Sequence, residues 1–201
     1  MASEVDICNL ALARLGDNAT VASINPPEGS AQAEHCERFY PVARDALLEK
    51  HPWRFAVRRV RLAKLNTETG TWAYAYAEPS DVVRLLTVLP ASAASDADSH
   101  DYEAESSRNG TPTLLTDLDN ASLRYVARIT DTTVFSPLFV DALAWLLASY
   151  LAGPVLKGTE GASMTKTCLE LFSLLFSQAA ASDSNQRQIR LEHDPAWISG
   201  R

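Results

Sequence analysis

At His51-Pro52-Trp53 the spacing of apolar residues changes from a helical period to an alternating one, which limits the chain to folds where helices lead into a β-region. Upstream, Ala33, Cys36, Tyr40, Ala43 and Leu47 fall three and four residues apart, the stripe of a helix starting near Ser30. Pro41 is expected to kink that helix, because proline lacks the amide hydrogen and crowds the carbonyl four residues back. Pro52 should end it, since a residue before proline disfavours the helical region. Downstream, Phe55 and Val57 alternate with polar neighbours, as do Val60 and Leu62. The two pairs are out of phase across Arg58-Arg59, which predicts a strand with a bulge or two short extended pieces.

The remaining segments sort by the same rule. Ser3 with Asp6 forms an acidic capping box, Gly16 is placed as a helix stop, and Ile7, Leu10, Ala11 and Leu15 lie on one face between them. Asp81 to Pro90 is a β-branched run, Asn109-Gly110 signals a hairpin turn, and Ser122 to Ile129 alternates cleanly. Residues 81–129 therefore read as a small antiparallel meander, with a small-residue surface loop over 91–100. Asp131 or Ser136 starts a third helix carrying Leu138, Phe139, Ala142, Leu143, Leu146 and Leu147, which Gly153-Pro154 should interrupt. A fourth runs from about Thr159 to Ala181, with Cys168, Leu171, Phe172, Leu175 and Phe176 as its buried face.

The expected fold is mainly α: a four-helix bundle from 1–52 and 131–182, with a small antiparallel β-sheet or meander over 53–130 between helices 2 and 3. An extended C-terminal arm, 183–201, is polar apart from Ile189, Leu191, Trp197 and Ile198. It cannot build its own core and should dock elsewhere.

Charge then narrows the function classes. Four arginines and a lysine crowd residues 54–64, yet the 201-residue chain carries a net charge of −7. A protein devoted to holding duplex DNA usually has a basic balance. Arg54, Arg58, Arg59 and Arg61 are better read as the exposed side of an edge strand pairing with acids of a neighbouring chain, and a DNA-binding module is the alternative. Asp96, Asp98, Asp101, Glu103 and Glu105 could supply a hydrolase's carboxylate pair, but a solvated loop offers no desolvation to separate their pKa values. His35 and Cys36 are helix neighbours that do not face each other. Cys8, Cys36 and Cys168 have neither metal-ligand spacing nor a disulfide pattern, so reduced thiols, no metal and no cofactor are expected. The early acids of the N-terminus do not suit a signal peptide, and the apolar run 138–156, broken by Asp141 and Gly-Pro, suits a buried helix better than a membrane span.

Several stretches resemble the head-to-tail adaptors of short-tailed phages, the tail tubular protein A family. They are "ICNLALARLGD", "CERFYPVARDALLEKHPWRFAVRRVRLA", "WAYAYAEPSDVVRLLTV" and "LRYVARITD", followed by "FSPLFVDALAWLLASYLAGPV" and the ending "AWISGR". The small-residue stretch Ala91 to Ser99 is longer than the resemblance leads one to expect, which bears on the tip of the β-region. The resemblance implies a virion structural protein rather than an enzyme, made in the host cytoplasm and with no membrane partner. It implies a helical bundle with a small sheet, assembled as a twelve-fold ring between the portal and a tail nozzle of the tail tubular protein B kind. Genome DNA would pass through that ring without tight binding. On this view Ile189, Leu191, Trp197, Ile198 and Arg201 dock on the portal. Arg54, Arg58, Arg59 and Arg61, with Asp101 and Glu103, then serve inter-subunit or nozzle contacts. A tail-associated peptidoglycan hydrolase using the acids of 96–105 is the alternative from another class.

Overall fold

The computed structural model describes residues 2–67, 69–93, 96–107 and 109–186. The chain opens with α1 (Glu4–Arg14), whose N-terminus is closed as the sequence predicts. The Asp6 amide donates to Ser3 Oγ at 3.1 Å and the Ser3 amide donates to the Asp6 carboxylate at 2.8 Å. At the other end Gly16 adopts φ +76°, the Gly16 amide bonds the Ala13 carbonyl and the Asp17 amide bonds the Leu12 carbonyl. This left-handed termination is the reason a glycine stands there. Ile7, Ala11 and Leu15 of the expected stripe are buried, joined by Cys8 and Leu12, whereas Leu10 is exposed.

Helix α2 (Ala31–Lys50) starts at Ser30, whose hydroxyl accepts the Ala33 amide, and is α-helical throughout with Pro41 inside it. All five stripe residues, Ala33, Cys36, Tyr40, Ala43 and Leu47, are buried. It stops at His51, extended before Pro52. The fully buried Trp53 then folds back: its indole N–H donates to the Leu47 carbonyl at 2.9 Å, satisfying one of the carbonyls a helix end leaves open. Residues 53–57 form a turn, with the Ala56 and Val57 amides bonded to the Trp53 carbonyl. Residues 57–61 then form one continuous strand with no bulge and no break at Arg58-Arg59, so Val57 and Val60 lie on opposite faces and Val60 is exposed. Phe55 packs with Trp53, Phe135 and Phe139 in an aromatic cluster at the helix–sheet junction.

The β-region is larger than expected, and the fold is not a mainly-α four-helix bundle with a small meander. Its strands are β1 (Val57–Arg61), β2 (Lys64–Leu65), β3 (Tyr74–Ala77), β4 (Val82–Pro90), β5 (Glu103–Ser106), β6 (Pro112–Thr116) and β7 (Ala121–Ala127). They form two antiparallel sheets, in the orders β1-β7-β4 and β2-β3-β6-β5. A meander would pair consecutive strands. Here β7 instead lies between β1 and β4, and β3 pairs with β6. The chain passes from β1 directly into β2, and the His100 amide just before β5 bonds the Val88 carbonyl of β4 at 2.9 Å. The two sheets are thus linked at both pairs of edges, enclosing Tyr76, Val88, Leu114, Ala121 and Leu123 in the common core.

Asp131 and Ser136 both act as caps: the first for a 3-10 turn at Thr132–Val134, the second for α3 (Pro137–Leu156). Helix α3 runs through Gly153-Pro154 without interruption, and that pair occupies its last turn. Lys157 and Gly158, both at positive φ, reverse the chain into α4 (Gly158–Ser184). A Cβ on Gly161 would stand 2.8 Å from the Ala152 carbonyl oxygen, so close approach of the two helices requires glycine there. Helix α3 is the hub, touched by α1, α2 and α4, whereas α1 and α2 barely meet each other. It alone among helices of the described residues is long and apolar enough to cross a membrane, and 56% of that window is buried inside the protein. Leu138 at its start is exposed, unlike the rest of its expected face. Cys8, Cys36 and Cys168 are buried free thiols.

Candidate interaction surface

Three of the four arginines, Arg58, Arg59 and Arg61, lie on the edge strand β1 as the sequence predicts, whereas Arg54 lies in the turn before it. Strand β1 pairs with β7 on one side only, with Arg58 opposite Tyr125, Arg59 opposite Arg124 and Arg61 opposite Ser122. Two cations directly opposite each other repel. The Asp96 carboxylate relieves this by lying between them, 3.4 Å from Arg59 and in contact with Arg124. The acid comes from a 3-10 turn at Asp96–Asp98, inside the segment expected to be a solvated loop. On the other face of the strand, Arg58 pairs with Asp81 at 2.8 Å, and the Tyr125 hydroxyl donates to the second oxygen of the same carboxylate at 3.0 Å. That hydrogen bond joins burial in pushing the Tyr125 phenol upward in pKa. Arg61 donates to the Asn120 side-chain oxygen. Arg58, Arg59 and Arg61 are therefore held by groups of their own chain while their side chains stay about half exposed or more at Arg58 (53%) and Arg59 (47%).

Arg54 differs from the other three. Its backbone amide donates to Asp183 at 3.0 Å, and among the described residues its guanidinium has no ion pair. Asp183 lies at the C-terminal end of α4 and is also 3.4 Å from His51 Nε2. One carboxylate thus ties the end of the last helix to the corner where α2 gives way to β1. Beside it a groove of about 420 Å³ is lined by His51, Pro52, Arg54, Val57, Arg124 and Asp183. Ile189, Leu191, Trp197, Ile198 and Arg201 lie outside the described residues.

Asp101 and Glu103 sit at a different edge. Strand β5 ends the second sheet and is exposed along its length. The Glu103 carboxylate accepts the Trp72 indole N–H at 3.0 Å, and the Asp101 carbonyl accepts the Thr116 hydroxyl at 2.8 Å. Of the five acids considered for hydrolysis, Asp96 faces two arginines, whereas Glu103 and Glu105 lie on the same face of a solvent-exposed strand. Among the described residues no group of three or more His, Cys, Asp or Glu side chains could hold a metal ion.

Sequence reasoning missed Asp81, Arg124, Tyr125 and Asp183, and it placed Asp96 in a solvated acidic loop rather than between Arg59 and Arg124. Each becomes meaningful only through a long-range contact, and nothing local marks any of them. No family model matches the chain, and no curated protein matches it.

Proposed function

We propose that the protein is a head-to-tail adaptor of the tail tubular protein A kind, a virion component joining portal and tail nozzle by closing copies of itself into a ring. The motif resemblance along the chain supports this reading. So does the exposed pair of sheet edges: one rich in arginine (β1) and one acidic (Asp101 and Glu103 at β5), on different strands. A heterologous, head-to-tail interface uses two unlike surfaces of one protomer in this way, and it closes into a ring when the rotation permits.

The observation that carries the reading furthest is the anchorage of Asp183 at the His51–Arg54 corner. It ties the end of α4 to the helix–sheet corner, a few residues before Ile189, Leu191, Trp197, Ile198 and Arg201 in the sequence. Apolar anchors on a polar tether suit a groove on the portal, and repeated around a ring they multiply weak contacts into avidity. The net charge of −7 suits a conduit, because each cation–phosphate contact would retain passing DNA.

Deleting residues 187–201 keeps Asp183 and all four helices. The expected result is an intact fold by circular dichroism with portal binding lost in sedimentation assays. Undiminished binding of the truncated protein to a cognate portal would remove the arm from the mechanism. Absence of any annular complex with full-length protein in electron micrographs would remove the adaptor reading itself.

A further inference from the structure

A cleft of about 370 Å³ opens between the N-terminus of α1, the 24–25 turn and the middle of α2, lined by Glu4, Asn25, Glu37, Tyr40, Arg44 and Thr130. Two features mark it as unfinished. Tyr40 is 1% exposed, and its hydroxyl is a buried polar atom with no hydrogen-bond partner. Such a group costs the folded state its full desolvation unless something fills the gap. The next residue, Pro41, has no N–H, so the Glu37 carbonyl about one turn back lacks the amide that a continuous helix would offer it.

The charges around the cleft select the sign of an occupant. The Arg44 guanidinium, 6% exposed, is committed to Asp45, with both Nε and Nη2 at 2.9 Å from Oδ1. Asp45 also holds Arg128 at 2.9 Å. Glu4 and Glu37 have no ion-pair partner among the described residues, leaving three carboxylates against two guanidiniums. An anion would meet two free carboxylates and an acceptor-only carbonyl. A donor-rich cation would meet complementary groups.

We infer that this cleft is a recognition site for a guanidinium or alkylammonium group, taken by Glu4 and Glu37 with the Tyr40 hydroxyl and the Glu37 carbonyl as neutral acceptors. The Tyr40 phenol is held well above its ordinary pKa, first by burial and then by the Glu4 charge, so it stays a neutral acceptor under all ordinary conditions. A planar guanidinium with five donors suits several acceptors at once better than a point-like ammonium does. The inference does not rest on the adaptor reading, since it uses only groups of one chain.

Titration of the full-length protein with N-methylguanidinium, followed by the Tyr40 ring resonances, tests it. Saturable shifts are expected, with affinity lowered about tenfold in Glu37→Gln and severalfold in Tyr40→Phe. In the free protein, Tyr40→Phe is expected to leave the melting temperature unchanged or raised, because it deletes an unpartnered hydroxyl and little else. Repeating the titration at self-associating protein concentrations locates the source: weakened N-methylguanidinium binding there assigns the cation to a second copy, and unchanged binding assigns it to another molecule. Absence of saturable shifts, equal affinity in Glu37→Gln, or a clearly lowered melting temperature in free Tyr40→Phe would each overturn the inference.

Discussion

At the scale of single residues, one carboxylate decides whether an arginine-rich edge can exist. Arg59 and Arg124 are forced opposite each other by the register of β1 and β7, and Asp96 makes that register tolerable. With all three side chains only partly exposed, Asp96→Ala should cost about 1 kcal/mol in urea unfolding, and less once Arg59→Ala removes the repulsion it leaves behind. Equal costs in both backgrounds would show that Asp96 acts on something other than the pair. Asp6 gives a pH signature with a defined sign. Its carboxyl sits below its ordinary pKa, chiefly because it accepts the Ser3 amide hydrogen bond. A folded pKa below the unfolded value contributes stability that is present above the unfolded value, near pH 4, and is lost as pH falls through the folded one. Asp6→Asn should therefore flatten the acid limb of the stability curve while leaving its slope above pH 6 unchanged, as read from thermal melts across pH.

At the scale of elements, the α3–α4 hairpin shows two effects of opposite sign at one position. Replacing a helical glycine by alanine ordinarily stabilises by about 0.5–1 kcal/mol. At Gly161 the new methyl would lie 2.8 Å from the Ala152 carbonyl oxygen and 3.3 Å from the Gly153 α-carbon, both backbone atoms. Backbone cannot step aside as a side-chain end can, and overpacking of this kind costs about 1–3 kcal/mol. The clash should win, and Gly161→Ala should lower the midpoint of denaturant unfolding. The elements also show what was legible beforehand. Ser3–Asp6, Gly16, Ser30, Pro52 and Ser136 all act at helix ends as their local chemistry requires, so α1, α2 and α3 start where the sequence puts them. The interruption expected at Gly153-Pro154 fails because Pro154 stands in the final turn, where α3 is about to stop anyway. Strand β5, Glu103–Ser106, has no apolar alternation to read because both its faces are exposed.

At the scale of the whole molecule, the arginines' partners bear on what the surface can bind. Arg58 and Arg59 are already opposed by Asp81 and Asp96, so a phosphate backbone would have to displace carboxylates before gaining contacts. Filter binding to duplex DNA should accordingly be weak at 50 mM salt, with a log–log salt slope shallower than about −2, against the slope near −4 that four engaged arginines would give. Much of the architecture follows from period and punctuation alone: the switch at Pro52, the caps, the buried stripe of α2, and the apolar α3 that had to sit at the centre. The sequence by itself determined which segments are helix and where most of them end, because capping, proline geometry and the 3.6-residue stripe act over a few neighbours. Only the tertiary structure decided that the strands form two sheets joined at their edges, that β7 inserts between β1 and β4, and that Asp81, Asp96 and Asp183 hold the arginine edge and the root of the C-terminal segment. Those choices depend on contacts between residues far apart in the chain, whose free energy exists only in the assembled fold, and no local pattern encodes it.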